Sequence, residues 1–159
     1  MQYLANASSG TVVAGGNGPG TNISQLMQPL GFIFDEKNSS FLIANYGAHN
    51  IVRWRLGDTS WTLVAGVTGV SGSSSTLLNG PRSVILDPFG NMYVVDGYNH
   101  RIQMFLENDN NATTIAGVTG SSGTAANELD NPHGLAFDDD LNLHVVDTNN
   151  HRIQKFSRY

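Results

Sequence analysis

The chain has 159 residues, 40% of them hydrophobic and 13% charged, with 18 Gly, no Cys and a net charge of −5. A soluble domain ordinarily carries about 25% charged residues, so the polar load here falls on Gly, Ser, Thr and Asn, which suits short strands joined by turns rather than charged helices. The missing Cys excludes disulfides, thiolate metal sites and cysteine catalysis, the acidic balance disfavours nucleic acid as a partner, and no apolar run is long enough to cross a bilayer.

Taken in order, the chain repeats. Thr11-Val-Val-Ala-Gly15 returns as Thr62-Leu-Val-Ala-Gly66 and Thr113-Thr-Ile-Ala-Gly117, each time 51 residues on (62 − 11, 113 − 62). A Gly/Ser/Thr-rich loop follows each copy and recurs in register, so it belongs to the fold. Next come Gln28-Pro-Leu-Gly-Phe-Ile-Phe-Asp35, Gly80-Pro-Arg-Ser-Val-Ile-Leu-Asp87 and Asn131-Pro-His-Gly-Leu-Ala-Phe-Asp138. A short apolar run after Pro, closed by Asp and turn residues, predicts an inner strand buried on both faces between neighbours. The β-branched and aromatic runs Ser40–Asn45, Asn91–Asp96 and Asn142–Asp147 predict a second strand. A turn and a third strand follow in Asp96-Gly-Tyr-Asn-His-Arg-Ile-Gln-Met-Phe105 and Asp147-Thr-Asn-Asn-His-Arg-Ile-Gln-Lys-Phe156; Asn45-Tyr-Gly-Ala-His-Asn-Ile-Val-Arg-Trp54 is a worn copy. The Thr-x-(Val/Ile)-Ala run closes the unit as a fourth strand. Four short strands per roughly 50 residues is the pattern of a propeller blade.

The predicted architecture is all-β, one propeller segment over 1–159. It comprises an orphan outer strand at 9–15, blade one at 28–66, blade two at 80–117, and blade three at 131–159 without its outer strand. Tyr3 lies 51 residues before Trp54 (54 − 3), so the chain opens on the end of a third strand. Three blades are fewer than the 4–8 typical of a ring. Two expectations follow: a fragment of a longer protein, or a homodimer whose two chains exchange outer strands into a six-bladed ring.

The pattern Pro-x-Gly-apolar-small-apolar-Asp, then Val-Val-Asp, then Asn-His-Arg-Ile resembles the NHL repeat. Blade three carries it almost whole, in Pro132, Gly134, Leu135, Ala136, Phe137, Asp138, Val145, Asp147, Asn150, His151, Arg152 and Ile153. Blade two departs at Ser83. Blade one departs at Asn45, Ala48 and Asn50. The resemblance implies blades of a six-bladed propeller. It also implies several jobs for one fold: protein docking in tripartite-motif ubiquitin ligases, RNA binding in some relatives, extracellular sensing, and lyase chemistry in peptide-amidating enzymes.

Residues that recur in every blade are expected to build it, because chemistry is needed once and structure once per blade. Asp96 with Arg101, and Asp147 with Arg152, read as charge-assisted clamps. The paired loss to Asn45 and Asn50 is what partners would show, and it predicts blade one as the least regular. His49, His100 and His151 read as turn or packing residues. Residues that vary at matching turns are the candidates for binding: Leu30/Arg82/His133, Tyr46/Gly97/Thr148 and Gly47/Tyr98/Asn149. Among these Tyr46, Arg82, Tyr98, His133 and Asn149 are residue types that suit a protein or peptide interface. The stretch at Pro132-His133-Gly134 is similar to one that supplies zinc ligands in amidating lyases, and Asp96-Gly-Tyr98 to one bearing an active-site tyrosine. However, a catalytic zinc takes about three protein ligands, and Leu30 and Arg82 stand where the others would be. Gly15–Gly20 opens no helix and is read as an inter-blade loop, and Asp138–Asp140 as a solvated turn without calcium spacing. The expectation is a non-catalytic scaffold for protein or peptide, with no cofactor and no catalytic or metal residue. The alternatives left standing are an amidating-lyase-like enzyme, and the substrate-binding region of a ubiquitin ligase or an RNA binder. The sequons at Asn6, Asn22, Asn38 and Asn111 leave an extracellular location open. Met1–Ala5 lacks the basic and apolar regions of a secretory leader.

Overall fold

The computed structural model describes residues 9–158; Tyr3 and the sequon at Asn6 lie outside them. Blade one is an antiparallel sheet of β1 (Pro29–Asp35), β2 (Ser40–Asn45), β3 (Asn50–Arg55) and β4 (Thr62–Gly66) in that spatial order. Blade two repeats it with β5 (Pro81–Leu86), β6 (Met92–Asp96), β7 (Arg101–Phe105) and β8 (Ala112–Gly117). Blade three has three strands, β9 (Leu135–Phe137), β10 (Leu143–Asp147) and β11 (Arg152–Phe156). The three sheets form an open propeller segment.

The core lies between blades. Leu42, Ala44, Ile51 and Ala65 of blade one meet Val84, Met92, Val94 and Phe105 of blade two. On the far side Val95, Ile102 and Ala116 meet Leu129, Leu143 and Val145. Successive residues of a strand point to opposite faces, so Val94 and Val95 serve different neighbours and both are fully buried. Each contributes about 1.5–3 kcal/mol by leaving water. Inner strands approach closely at the small residue after Pro: a Cβ on Gly31 would stand 2.6 Å from the Arg82 carbonyl oxygen.

The structure corrects three expectations. Residues 9–15 form no strand. Outer strands β4 and β8 exist by pairing with β3 and β7, and among the described residues no such partner lies beside 9–15; Ala14 packs instead against the cluster of Ile43, Val52, Trp54 and Trp61. The inner strand β1 is not buried on both faces: Phe32 is 66% exposed and Leu30 and Phe34 are also open, because among the described residues only β5's side is covered by a blade. Finally, blade one is no less regular than blade two, with four full strands and register shifts at the same two places, whereas β9 is the shortest strand. A strand ladder is held by backbone bonds, and a neutral pair of side chains at one end does not shorten it.

Candidate functional site

Each Asp-x-x-Asn-His-Arg segment folds as one short 3-10 turn between the second and third strands. In blade two the turn is Gly97–Asn99, closed by His100 in the left-handed conformation (φ 54°). Asp96 precedes the turn and is fully buried. Its carboxylate accepts from the Asn79 backbone N–H at 2.6 Å, Asn99 Nδ2 at 2.7 Å and Arg101 Nε at 2.8 Å. Arg101 spends its other donors on the preceding loop: Nη1 reaches the Ser73 carbonyl at 2.8 Å and Thr119 Oγ1 at 3.2 Å, and Nη2 the carbonyls of Ser74 and Leu77 at 2.9 and 3.1 Å. Burial pushes the Asp96 carboxyl above its ordinary value despite these donors. Blade three builds the same clamp from Asp147, Asn150 and Arg152, with Gln154 Nε2 as a further donor at 3.2 Å. There burial also pushes the carboxyl up. The Asp130 N–H, Asn150, Arg152 and Gln154 outweigh it, and Asp147 lies below its ordinary value.

The turn histidines do something the sequence did not disclose. His49 Nδ1 accepts the backbone N–H of Gly80 at 3.1 Å, and His100 Nδ1 that of Asn131 at 3.1 Å. Each ties its blade to the start of the next inner strand. His100 Nδ1 also lies 3.4 Å from Asp130 Oδ1. A ring nitrogen that accepts a hydrogen bond has no proton to offer, so the bond to Asn131 defines the contact and the Asp130 approach is not an ion pair. No such bond is seen for His151 among the described residues. In blade one the clamp is neutral. Asn45 Oδ1 accepts from the Met27 N–H at 2.7 Å and Asn50 Nδ2 donates to Thr68 Oγ1 at 2.8 Å, while Asn45 Nδ2 and Asn50 Oδ1 are buried without partners.

Of the unrepeated residues, Tyr46, Arg82 and Tyr98 gather between blades one and two. Strand pairing shifts register between Pro29 and Gly31 and again between Pro81 and Ser83. Leu30 and Arg82 are therefore the extra residues of β-bulges, which re-aim a side chain. In blade three Val146 bonds to both His133 and Gly134, at 3.0 and 2.9 Å, which puts His133 at the same place. Arg82 is 6% exposed, yet Nε and Nη1 have no hydrogen-bond partner. Its Cζ sits 5.2 Å from the centroid of the Tyr98 ring, a contact of the cation–π kind. Tyr98 is 49% exposed, and its hydroxyl bonds to that of Tyr46 across the two blades. That bond, then burial, raises the Tyr46 phenol's pKa, so it stays protonated at neutral pH. Burial, and then the Arg82 charge, push His133 down, so its imidazole is neutral near pH 7. Asn149 stands apart: it is exposed and donates from Nδ2 to Asp130 Oδ1 at 3.1 Å.

Two glycines make the cluster possible, Gly97 at a varying turn position and Gly80, to which the sequence reading gave no part in the site. A Cβ at Gly97 would stand 2.5 Å from Arg82 Nε, and one at Gly80 2.7 Å from the Tyr98 ring. The matching residues are Tyr46 and Thr148 for Gly97, and Gln28 and Asn131 for Gly80. A glycine present in one copy only, opposite a bulky residue present in one copy only, is the signal that could have found the pair. Among the described residues no group of three or more His, Asp or Glu gathers as a metal-ligand set.

Residues 129–156, which hold the blade-three clamp, match the NHL repeat family model. Blade three carries an NHL repeat. Over 85 residues it is 39% identical to human NHL repeat-containing protein 2, covering 48% of this chain and 12% of that protein. Among solved structures, the chain superposes on an auxiliary nutrient binding protein from Bacteroides thetaiotaomicron with a TM-score of 0.64 at 22% identity, covering 78% of this chain and 36% of that one. It also superposes on a catalytically inactive virginiamycin B lyase from Staphylococcus aureus, solved with quinupristin, with a TM-score of 0.59 at 12% identity, covering 87% and 40%. At such identities these two likenesses show the propeller fold alone. The chain thus spans well under half the length of each of these relatives.

Proposed function

We propose that this NHL segment is a non-catalytic recognition surface that takes a protein or peptide on the face bearing Tyr46, Arg82, Tyr98, His133 and Asn149. One observation carries the reading: where blades one and two meet, residues that do not repeat bring together two tyrosines, a buried arginine and room made for them by Gly80 and Gly97. Tyr and Arg are the residues that dominate binding energy at interfaces, and a rigid scaffold presenting turn residues is where function concentrates. The acidic balance of −5 sets RNA behind protein as a partner.

The test is selection of displayed peptides on the wild-type protein, followed by affinity measurement on Tyr98→Ala and His133→Ala. Selected peptides should lose about tenfold or more on Tyr98→Ala. Unchanged affinity on both variants would remove this face from consideration. Stoichiometric zinc held through His133 would favour the lyase reading instead, and RNA binding with a steep salt dependence the nucleic-acid reading. The same proposal includes a second copy of the chain as a partner at the open edges. The outer edge of β11, unpaired among the described residues, and the apolar face of β1 are what such closure would cover. A solution mass near twice 17.1 kDa supports it, and a stable non-aggregating monomer overturns it.

A further inference from the structure

Resting on the recognition reading above, we propose that Arg82 is the anchor for a single carboxylate of the bound peptide, reached by swinging the Tyr98 ring aside. The starting point is an imbalance. A guanidinium offers five N–H donors and no acceptor, and burying such donors without partners is costly. Arg101 and Arg152, which begin β7 and β11, have their donors met by carboxylate and carbonyl oxygens. Arg82 is as deeply buried as a core residue, but its Nε and Nη1 bond to nothing. The site is otherwise built with care: a bulge aims the side chain inward, Gly97 clears the space for Nε, and Gly80 clears the space for the tyrosine that covers it. A cation held ready and left unmatched is a site for an anion.

The cover is a half-exposed ring, not the backbone. Tyr98 lies over the guanidinium and is fastened by its hydroxyl to Tyr46. A change of the Tyr98 side-chain rotamer breaks that one bond and opens the guanidinium. It also frees two phenol hydroxyls as donors toward the incoming group. The charge count favours a monoanion. Arg82 brings one positive charge, Leu30 is apolar, and His133 is neutral near pH 7. A planar guanidinium matches a carboxylate with two parallel bonds, whereas a phosphate dianion would need a second cation. Within a peptide the carboxylate has two sources, an Asp or Glu side chain or the chain terminus.

The experiment titrates the full chain with four probes: a pentapeptide with one internal Glu and both ends blocked, a neutral pentapeptide ending in a free carboxylate, the same peptide amidated, and inorganic phosphate. Tyrosine fluorescence and the Arg82 Nε–H resonance report binding. At least one carboxylate peptide should bind, with the Nε–H resonance moving on saturation, while the amidated peptide should not. The side-chain and terminal arms separate the two sources. Arg82→Gln should weaken the binding about 10–100-fold. Gly97→Ala, which displaces Arg82 without deleting it, should weaken it as well, and Arg82→Lys should not restore it. Equal binding of the amidated peptide, binding of phosphate alone, or unchanged affinity in Arg82→Gln would each overturn the proposal. Arg82→Gln should also melt no lower than wild type, because it removes an unmatched buried charge; a clear fall would make Arg82 a structural residue. If displayed peptides are lost on Tyr98→Ala yet carry no acidic group, the carboxylate anchor fails while the recognition reading stands. If neither Tyr98→Ala nor His133→Ala affects any peptide, both fail.

Discussion

The clamp of blade two should be worth more than that of blade three, and its worth should lie in charge balance. Replace Arg101 with Asn, and Asp96 keeps only the Asn79 N–H and Asn99 as donors while remaining fully buried. Four bonds to the loop at 73–77 and to Thr119 are lost with it. Stranding one member of a buried ion pair costs about 3–5 kcal/mol. Arg152 does the same work in blade three, but its side chain is 31% exposed and Asp147 retains Asp130, Asn150 and Gln154 as donors. Water and these donors should hold the cost of Arg152→Asn to about 1–2 kcal/mol. Asp96→Asn combined with Arg101→Asn reproduces the neutral pair that Asn45 and Asn50 form in blade one, leaves no unmatched charge, and should be more stable than Arg101→Asn alone. Urea unfolding followed by tryptophan fluorescence measures all four proteins. With a slope of about 2 kcal/mol per molar, the midpoint should fall by about 1.5–2.5 M for Arg101→Asn and by under about 1 M for Arg152→Asn. Equal shifts for the two single variants, or a double variant weaker than Arg101→Asn, would refute the charge-balance argument.

Four further outcomes follow from the geometry. Asp147 and Asp138 lie below the ordinary 3.8 in the fold, Asp138 chiefly through its hydrogen bond to His144; their stabilisation is present above that value and is lost as pH falls through the folded values, so Asp147→Asn should flatten the acid arm of a melting-temperature profile below about pH 4. Asp96 has the opposite sign, since burial raises it above 3.8: its contribution is larger at low pH and declines as pH rises through the folded value, so Asp96→Asn should steepen the same arm. Gly117→Ala places a Cβ against the His100 carbonyl at φ 83° and should cost about 2–5 kcal/mol from clash and left-handed strain together, read as a lower urea midpoint. His100→Ala should cost about 1 kcal/mol by stranding the Asn131 N–H, while His151→Ala should change stability by under about 0.5 kcal/mol.

The blade was legible because its signals are local and repeat: Pro starts the inner strand of blades one and two, Asp stands at the strand's end, and Val94-Val95 fills two neighbouring cores from one strand. The clamp was legible through covariation inside the chain, since Asn45 and Asn50 lose their charges together. What stayed hidden depends on contacts between blades. Nothing in Asn-His-Arg says that the imidazole accepts a bond from a residue 31 positions later. Nothing in Gly80-Pro-Arg says that the arginine turns inward at a bulge and lies under a tyrosine from the next turn. The exposure of Phe32 was equally hidden, because an apolar strand reads as buried whether or not a neighbour covers it.

The loop bonds of Arg101 bear on where one blade stops and the next begins. Counted by strands, blade two runs from Pro81 to Gly117. Counted by what its side chains hold, it starts earlier: Asn99 grips the Gly72 carbonyl, Arg101 those of Ser73, Ser74 and Leu77, and Asp96 the Asn79 N–H. On the other side of the seam, Gly69 bonds back to the Ala48 carbonyl and Thr68 to Asn50. The joint therefore lies between Val70 and Ser71, about ten residues ahead of the sheet. A blade excised or transplanted at that joint carries its own connector and keeps its clamp whole; one cut at Pro81 leaves behind the acceptors its arginine was made to meet.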